Sequence, residues 1–175
     1  MFRSVLAASL SVLALTAGAS AQDAGRFTLG AGYERFDFDD AAFDTVVVRG
    51  GYDFTRYLGV EGQANIGIGD DTITEGSVTG DVELNYAAGL FGVVRPWSTE
   101  QANVFLRAGY TTTEAEASVS GLSFSADDDA WAYGVGGEWF FAGDNGVRVD
   151  YTRFDYDEGG ESDVFGVSYV RRFGG

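Results

Sequence analysis

From Arg26 to Phe173 the chain repeats one pattern. A run of about ten residues alternates apolar and polar side chains, and a cluster of Gly, Asp, Ser or Thr then breaks it. The runs fall on 26–36, 45–54, 57–69, 81–94, 103–113, 130–141, 147–156 and 163–173. Alternation with a period of two is the signature of a strand with two unlike faces. In the first run Phe27, Leu29, Ala31 and Tyr33 share a row; in the fifth, Val104, Leu106, Ala108 and Tyr110 do. The last run puts Phe165, Val167, Tyr169, Arg171 and Phe173 on one row and Val164, Gly166, Ser168, Val170 and Arg172 on the other. The pattern fails at Phe36 and Phe38, and again at Phe154 and Tyr156, which fall on the polar row. Bulges or the ends of regular pairing are expected there. The fold expected is all-β: an eight-stranded antiparallel up-and-down transmembrane barrel whose last strand pairs with its first and removes both edges.

The links between runs are unequal. Those after the second, fourth and sixth are short: Thr55-Arg56, then 95–102, then 142–146. Those after the first, third, fifth and seventh are polar and mostly longer: 37–44, 70–81, 114–128 and 157–162. Long loops at one end and short turns at the other are what membrane barrels show, with the short turns on the periplasmic side. No run of 18 apolar residues follows residue 21, so no transmembrane helix is expected.

Periodicity does not say which face points inward. Three features do. Charges on the polar rows nearly balance, whereas the links are strongly acidic, and balance suits a closed interior where an unpaired ion is costly. Glycines concentrate on the polar rows, as a narrow barrel filled by side chains requires. Tyr33, Tyr52, Tyr110, Trp131, Tyr133, Trp139, Tyr151 and Tyr169 sit near strand ends on the apolar rows, where lipid headgroups select amphipathic rings. The apolar rows are therefore placed toward lipid. Arg49, Glu61, Arg107, Glu138, Arg148 and Asp150 then lie inside, in the periplasmic half of their strands, as an interior ion-pair network.

Residues 1–21 read as a secretory signal: Arg3, an apolar core from Val5 to Ala17, and Ala19-Ser20-Ala21 as the cleavage motif. Residues 22–175 form the barrel domain, and the mature chain is expected in the outer membrane of a Gram-negative bacterium.

Over this whole mature length the chain resembles the OmpA-like/OmpX-like family of eight-stranded outer-membrane β-barrel domains, also called porin-family proteins. The residues that carry the resemblance are the A-x-A signal end, YLGVEGQ at 57–63, FLRAGY at 105–110, VRVDYTRF at 147–154 and FGVSYVRRF at 165–173. Glu61, Arg107 and Asp150 fall where such barrels carry interior charges. The resemblance implies that Phe165, Tyr169 and Phe173 form a C-terminal signal read by the barrel assembly machinery, with periplasmic chaperones as further partners during biogenesis.

Chemistry is excluded more readily than it is found. With no His and no Cys, the chain lacks the commonest general base, thiol nucleophile and transition-metal ligand. GLSFS at 121–125 lacks the final Gly of a nucleophile elbow. Asp70-Asp71 and Asp127-Asp128-Asp129 lack the spacing of a calcium loop. No catalytic, cofactor or metal site is expected, and a formal net charge of −16 argues against nucleic acid. The expected role is structural or surface-interacting, with outer-membrane lipid and lipopolysaccharide as surroundings and a monomeric barrel. A narrow small-solute pore and a soluble periplasmic ligand-binding barrel are the alternatives.

Overall fold

A computed structural model describes residues 25–38, 42–68, 71–75, 78–119, 122–157 and 159–174, with backbone alone between 71 and 85 and between 115 and 127. The leader expected over 1–21 lies outside these residues. The strands are β1 (Arg26–Asp37), β2 (Ala42–Asp53), β3 (Leu58–Gly67), β4 (Asp71–Glu75), β5 (Val78–Ser98), β6 (Ala102–Val119), β7 (Leu122–Ala142), β8 (Asn145–Tyr156) and β9 (Glu161–Phe173). No described helix is long and apolar enough to cross a membrane.

Every neighbouring pair is antiparallel, and the sheet closes on itself. β1 meets β9 from Phe27↔Phe173 to Asp37↔Asp163. At the opposite seam β3 meets β5 from Leu58↔Val94 to Ile66↔Tyr86. β4 continues the lane of β3 and pairs with the start of β5. The barrel is thus eight-stranded, with β3 and β4 sharing one position.

The rows divide as the alternation requires. Leu29, Val48, Ile66, Leu90, Leu106 and Val149 are exposed on the outside, while Arg49, Glu61, Arg107, Arg148 and Asp150 are buried within. A soluble barrel has the reverse arrangement. Aromatic rings edge the apolar band at both ends. At the short-turn end lie Phe54, Tyr57, Trp97, Trp139, Phe141 and Phe173; toward the other end lie Tyr33, Tyr110, Trp131 and Tyr151. The hydroxyls of that outer edge meet carboxylates: Tyr33 donates to Asp44, Tyr110 to Asp157 at 2.6 Å and Tyr151 to Asp163 at 2.7 Å. Polar handles on an apolar ring mark the depth where hydrocarbon gives way to water.

Two expectations need correction. The first concerns Phe36 and Phe154. No bulge interrupts either strand there; regular pairing does end close by, as the other alternative expected, at Asp37 between Phe36 and Phe38 and at Tyr156 in β8. Phe36 and Phe154 are buried inside the barrel, on the row that is polar lower down. The register shifts occur instead at Leu84/Tyr86, Val94/Trp97 and Phe140/Ala142. The interior changes character with height, so an apolar residue on the inward row needs no bulge to explain it.

The second concerns the links over 70–81 and 114–128. Much of both is strand: β4 and the start of β5 pair from Asp71↔Val82 to Glu75↔Val78, and β6 pairs with β7 up to Val119↔Leu122. β5 and β7 each reach 21 residues, about twice what a tilted crossing needs. Beyond the bilayer both faces of a strand meet water, so the sequence there has no apolar row by which to recognise it.

Candidate functional site: the barrel lumen

Three guanidinium groups hold the middle of the lumen. Arg49 on β2 donates to Gln63 (3.1 Å), Ser168 (2.7 Å) and Asp150 (3.3 Å), and forms an ion pair with Glu34. Arg107 on β6 donates to Glu61 (3.1 Å), Gln63 (2.6 Å), Asp150 (3.1 Å) and Thr152 (3.0 Å). Arg148 on β8 donates to Asp150 (3.0 Å) and, through both terminal nitrogens, to Glu61. Asp150 thus accepts from all three arginines. Glu61 accepts from Arg107 and Arg148, with Arg49 at 3.9 Å. Glu34 takes further donors from Gln63 (3.0 Å) and Asn65.

The flat faces of these cations are used as well. Arg107 lies over the Phe91 ring at 4.5 Å and Arg148 over Phe105 at 4.2 Å. A planar, weakly hydrated guanidinium can give its edge to carboxylates and its face to an aromatic ring, which ammonium groups cannot match. Space for this comes from small residues opposite. A Cβ at Gly136 would sit 2.7 Å from the Asp150 Cβ and against the Phe105 ring. One at Gly166 would sit 3.1 Å from the Glu34 carboxylate.

Of the six residues placed in the network from sequence, Arg49, Glu61, Arg107, Arg148 and Asp150 meet at its centre. Glu138 lies at its edge, 3.8 Å from Arg148, and accepts from Asn103 at 2.8 Å. The residue that sequence reasoning left out is Glu34, which is fully buried against Arg49.

Layers above and below complete the filling. Toward the short-turn end Arg95 donates to Asp53 at 2.5 Å. Arg172 lies over Phe140 at 3.2 Å and donates to the Glu100 carbonyl at 3.0 Å. Toward the outer end Phe36, Phe91, Ala130, Ala132, Phe154 and Val164 form a buried apolar layer. From the short turns outward, a cation on a Phe ring, the central ion network and an apolar layer therefore succeed one another along the axis. Among the described residues no group of three or more Asp or Glu is placed to hold a metal ion.

On the outer wall of β9, Phe165 packs on Tyr151 at 5.1 Å, Tyr169 donates to Asn145, and Phe173 pairs with Phe27. Arg171 shares this row and lies over the Phe173 ring at 5.2 Å.

The family model described as outer membrane protein beta-barrel domain matches residues 6–173 of this chain. Solved structures are similar throughout. Ail, the attachment invasion locus protein of Yersinia pestis, superposes with a TM-score of 0.60 at 18% identity, covering 87% of this chain and 100% of Ail. The Pseudomonas aeruginosa outer membrane protein OprG gives a TM-score of 0.65 at 12% identity, covering 89% and 99%. The N-terminal β-barrel domain of Pseudomonas aeruginosa OprF gives 0.62 at 14% identity, covering 87% and 100%. No curated protein matches the sequence.

Proposed function

The chain belongs to the outer membrane protein beta-barrel domain family, and on that premise we propose a non-enzymatic integral outer-membrane protein whose role is structural and surface-interacting. The observation that carries the reading is the filled lumen. The arginines at its centre are satisfied by Glu34, Glu61 and Asp150, and the layer of Phe36, Phe91 and Phe154 closes the way above them. Moving an ion through would require parting buried ion pairs and an apolar packing layer together, each costly in a low-dielectric interior.

The surface role is supported by the strands that outrun the bilayer. Residues 122–127 of β7 pair with β6 and, among the described residues, with no other strand, while just below them the Asp129 carbonyl accepts from the Asp157 N–H at 2.8 Å. An unpaired strand edge offers backbone donors and acceptors to an extended segment of another protein. Lipopolysaccharide would surround the barrel at the level of these strands.

The purified barrel, folded in detergent and added to planar lipid bilayers, is expected to give no discrete conductance steps at neutral pH. Reproducible unitary steps would overturn the filled-lumen reading in favour of a narrow pore.

The last strand serves assembly as well as closure in this proposal. Phe165, Tyr169 and Phe173 present one aromatic row outward, available to the assembly machinery before the seam with β1 closes. Phe173→Ala should lower the amount of folded barrel in the outer membrane of cells while leaving refolding in detergent intact. Equal insertion of the variant and the parent in cells would reduce β9 to an ordinary closing strand.

A further inference from the structure

The outer mouth of the lumen carries more aromatic surface than closing it requires. Phe36 and Phe154 are fully buried, their ring centroids 5.3 Å apart. Above them, three further rings on the same inward rows are only partly buried: Phe38, Phe43 and Tyr156. Phe38 stacks on Tyr156 with centroids 5.9 Å apart and meets Phe43 edge-on at 5.7 Å. Strands β1, β2 and β8 thus converge on an aromatic cup facing the outside.

Polar groups line the opposite wall. Thr113 and Asp128 are cross-strand partners on β6 and β7, one step outward from the buried Ala130. The Thr113 Oγ1 is buried close to the Tyr156 hydroxyl. Asp128 stands on the same row of β7 as Ala130, the cross-strand partner of Tyr156. The cations described at this end, Arg35 and Arg153, are on the outer wall and already tied to Asp37, Asp44 and Asp163.

We propose that this cup, formed by Phe38, Phe43 and Tyr156 with Asp128 and Thr113 at its side, is a binding site for a small organic cation bearing an aromatic or apolar group. Ring faces attract cations, and they do so more strongly where water is partly excluded. The carboxylate favours the same sign of charge and disfavours anions. The apolar part of the ligand would rest on the layer formed by Phe36 and Phe154. The site would be occupied from outside, without passage through the barrel, and does not depend on what the projecting strand edges bind.

The test uses the full chain folded in non-ionic detergent micelles. Binding of benzyltrimethylammonium is followed by saturation-transfer NMR and by shifts of the tyrosine ring signals, with benzyl alcohol and benzenesulfonate as neutral and anionic comparisons. Saturable binding of the cation is expected, with the alcohol at least tenfold weaker and the sulfonate unbound. Phe38→Ala/Phe43→Ala should weaken the cation at least tenfold. Asp128→Asn keeps every ring and should weaken it severalfold while narrowing the gap to the alcohol. Heat-modifiable mobility on gels confirms that each variant is folded. Equal binding of cation and sulfonate, non-saturable uptake, or unchanged affinity in the folded double variant would overturn the proposal.

Discussion

Arg107→Ala is expected to destabilise the barrel by about 3–5 kcal/mol, the cost of breaking a buried ion pair from one side. The side chain has no exposed surface, and it donates to Glu61, Gln63, Asp150 and Thr152. Its removal leaves Glu61 and Asp150 leaning on Arg49 and Arg148 alone. It also leaves a void against the face of Phe91, where the guanidinium lies. Water cannot readily repair the loss, because the layer of Phe36, Phe91 and Phe154 lies on the outer side. The measurement is the urea midpoint of the barrel refolded in lipid vesicles. Arg35→Ala is the comparison: that arginine pairs with Asp37 and Asp44 on the exposed outer wall, where solvent screens the pair, and its midpoint should stay near the parent's. An unchanged midpoint in Arg107→Ala would sink the view that the network holds the barrel together.

Much of this was legible in the sequence. Strand number and closure of β1 on β9 follow from period and link lengths; the inward placement of Arg49, Glu61, Arg107, Arg148 and Asp150 follows from the balanced charges and glycines of the polar rows and the aromatic edges of the apolar ones. Two of the misses share a cause, which is that height along the axis was inferred from position along each strand. Strands in a closed barrel are tilted, so residues that share a level are not register partners. Glu34 pairs across the strands with Thr45 and Gly166, yet its carboxylate meets Arg49, which itself pairs with Gly30. Glu34 stands on the polar row of the first run, but beyond the periplasmic half from which the network was drawn. Phe36 and Phe154 show the same limit. A two-residue period reports which face a side chain occupies, not whether that face is ionic or apolar at that height. The extended β5, β6 and β7 were hidden for another reason. In water neither face must be apolar, so backbone pairing persists where the side-chain pattern that announces it has ended.

The sharpest division between a membrane barrel and any water-soluble one lies on the opposite face, at Leu90. This residue is 67% exposed, midway along the barrel portion of β5, with Gly62 and Tyr110 as its cross-strand partners. On a soluble protein an exposed leucine changed to arginine shifts stability by within about 0.5 kcal/mol. At the midplane of a bilayer the same change costs about 2–4 kcal/mol, because the guanidinium must drag water and headgroups inward or remain desolvated. Near the interface the cost falls to about 0–1 kcal/mol, since the side chain can reach water along its own length. Ile68 supplies that case, exposed on the same outer face just past the end of β3. Leu90→Arg should therefore lower the folding free energy in phosphatidylcholine vesicles several times more than Ile68→Arg. The two variants are compared by urea titration with heat-modifiable mobility as the readout. Similar, small losses for both would mean that the apolar band does not face hydrocarbon. The depth dependence matters more than either value, since a general penalty for adding charge would fall on both sites alike.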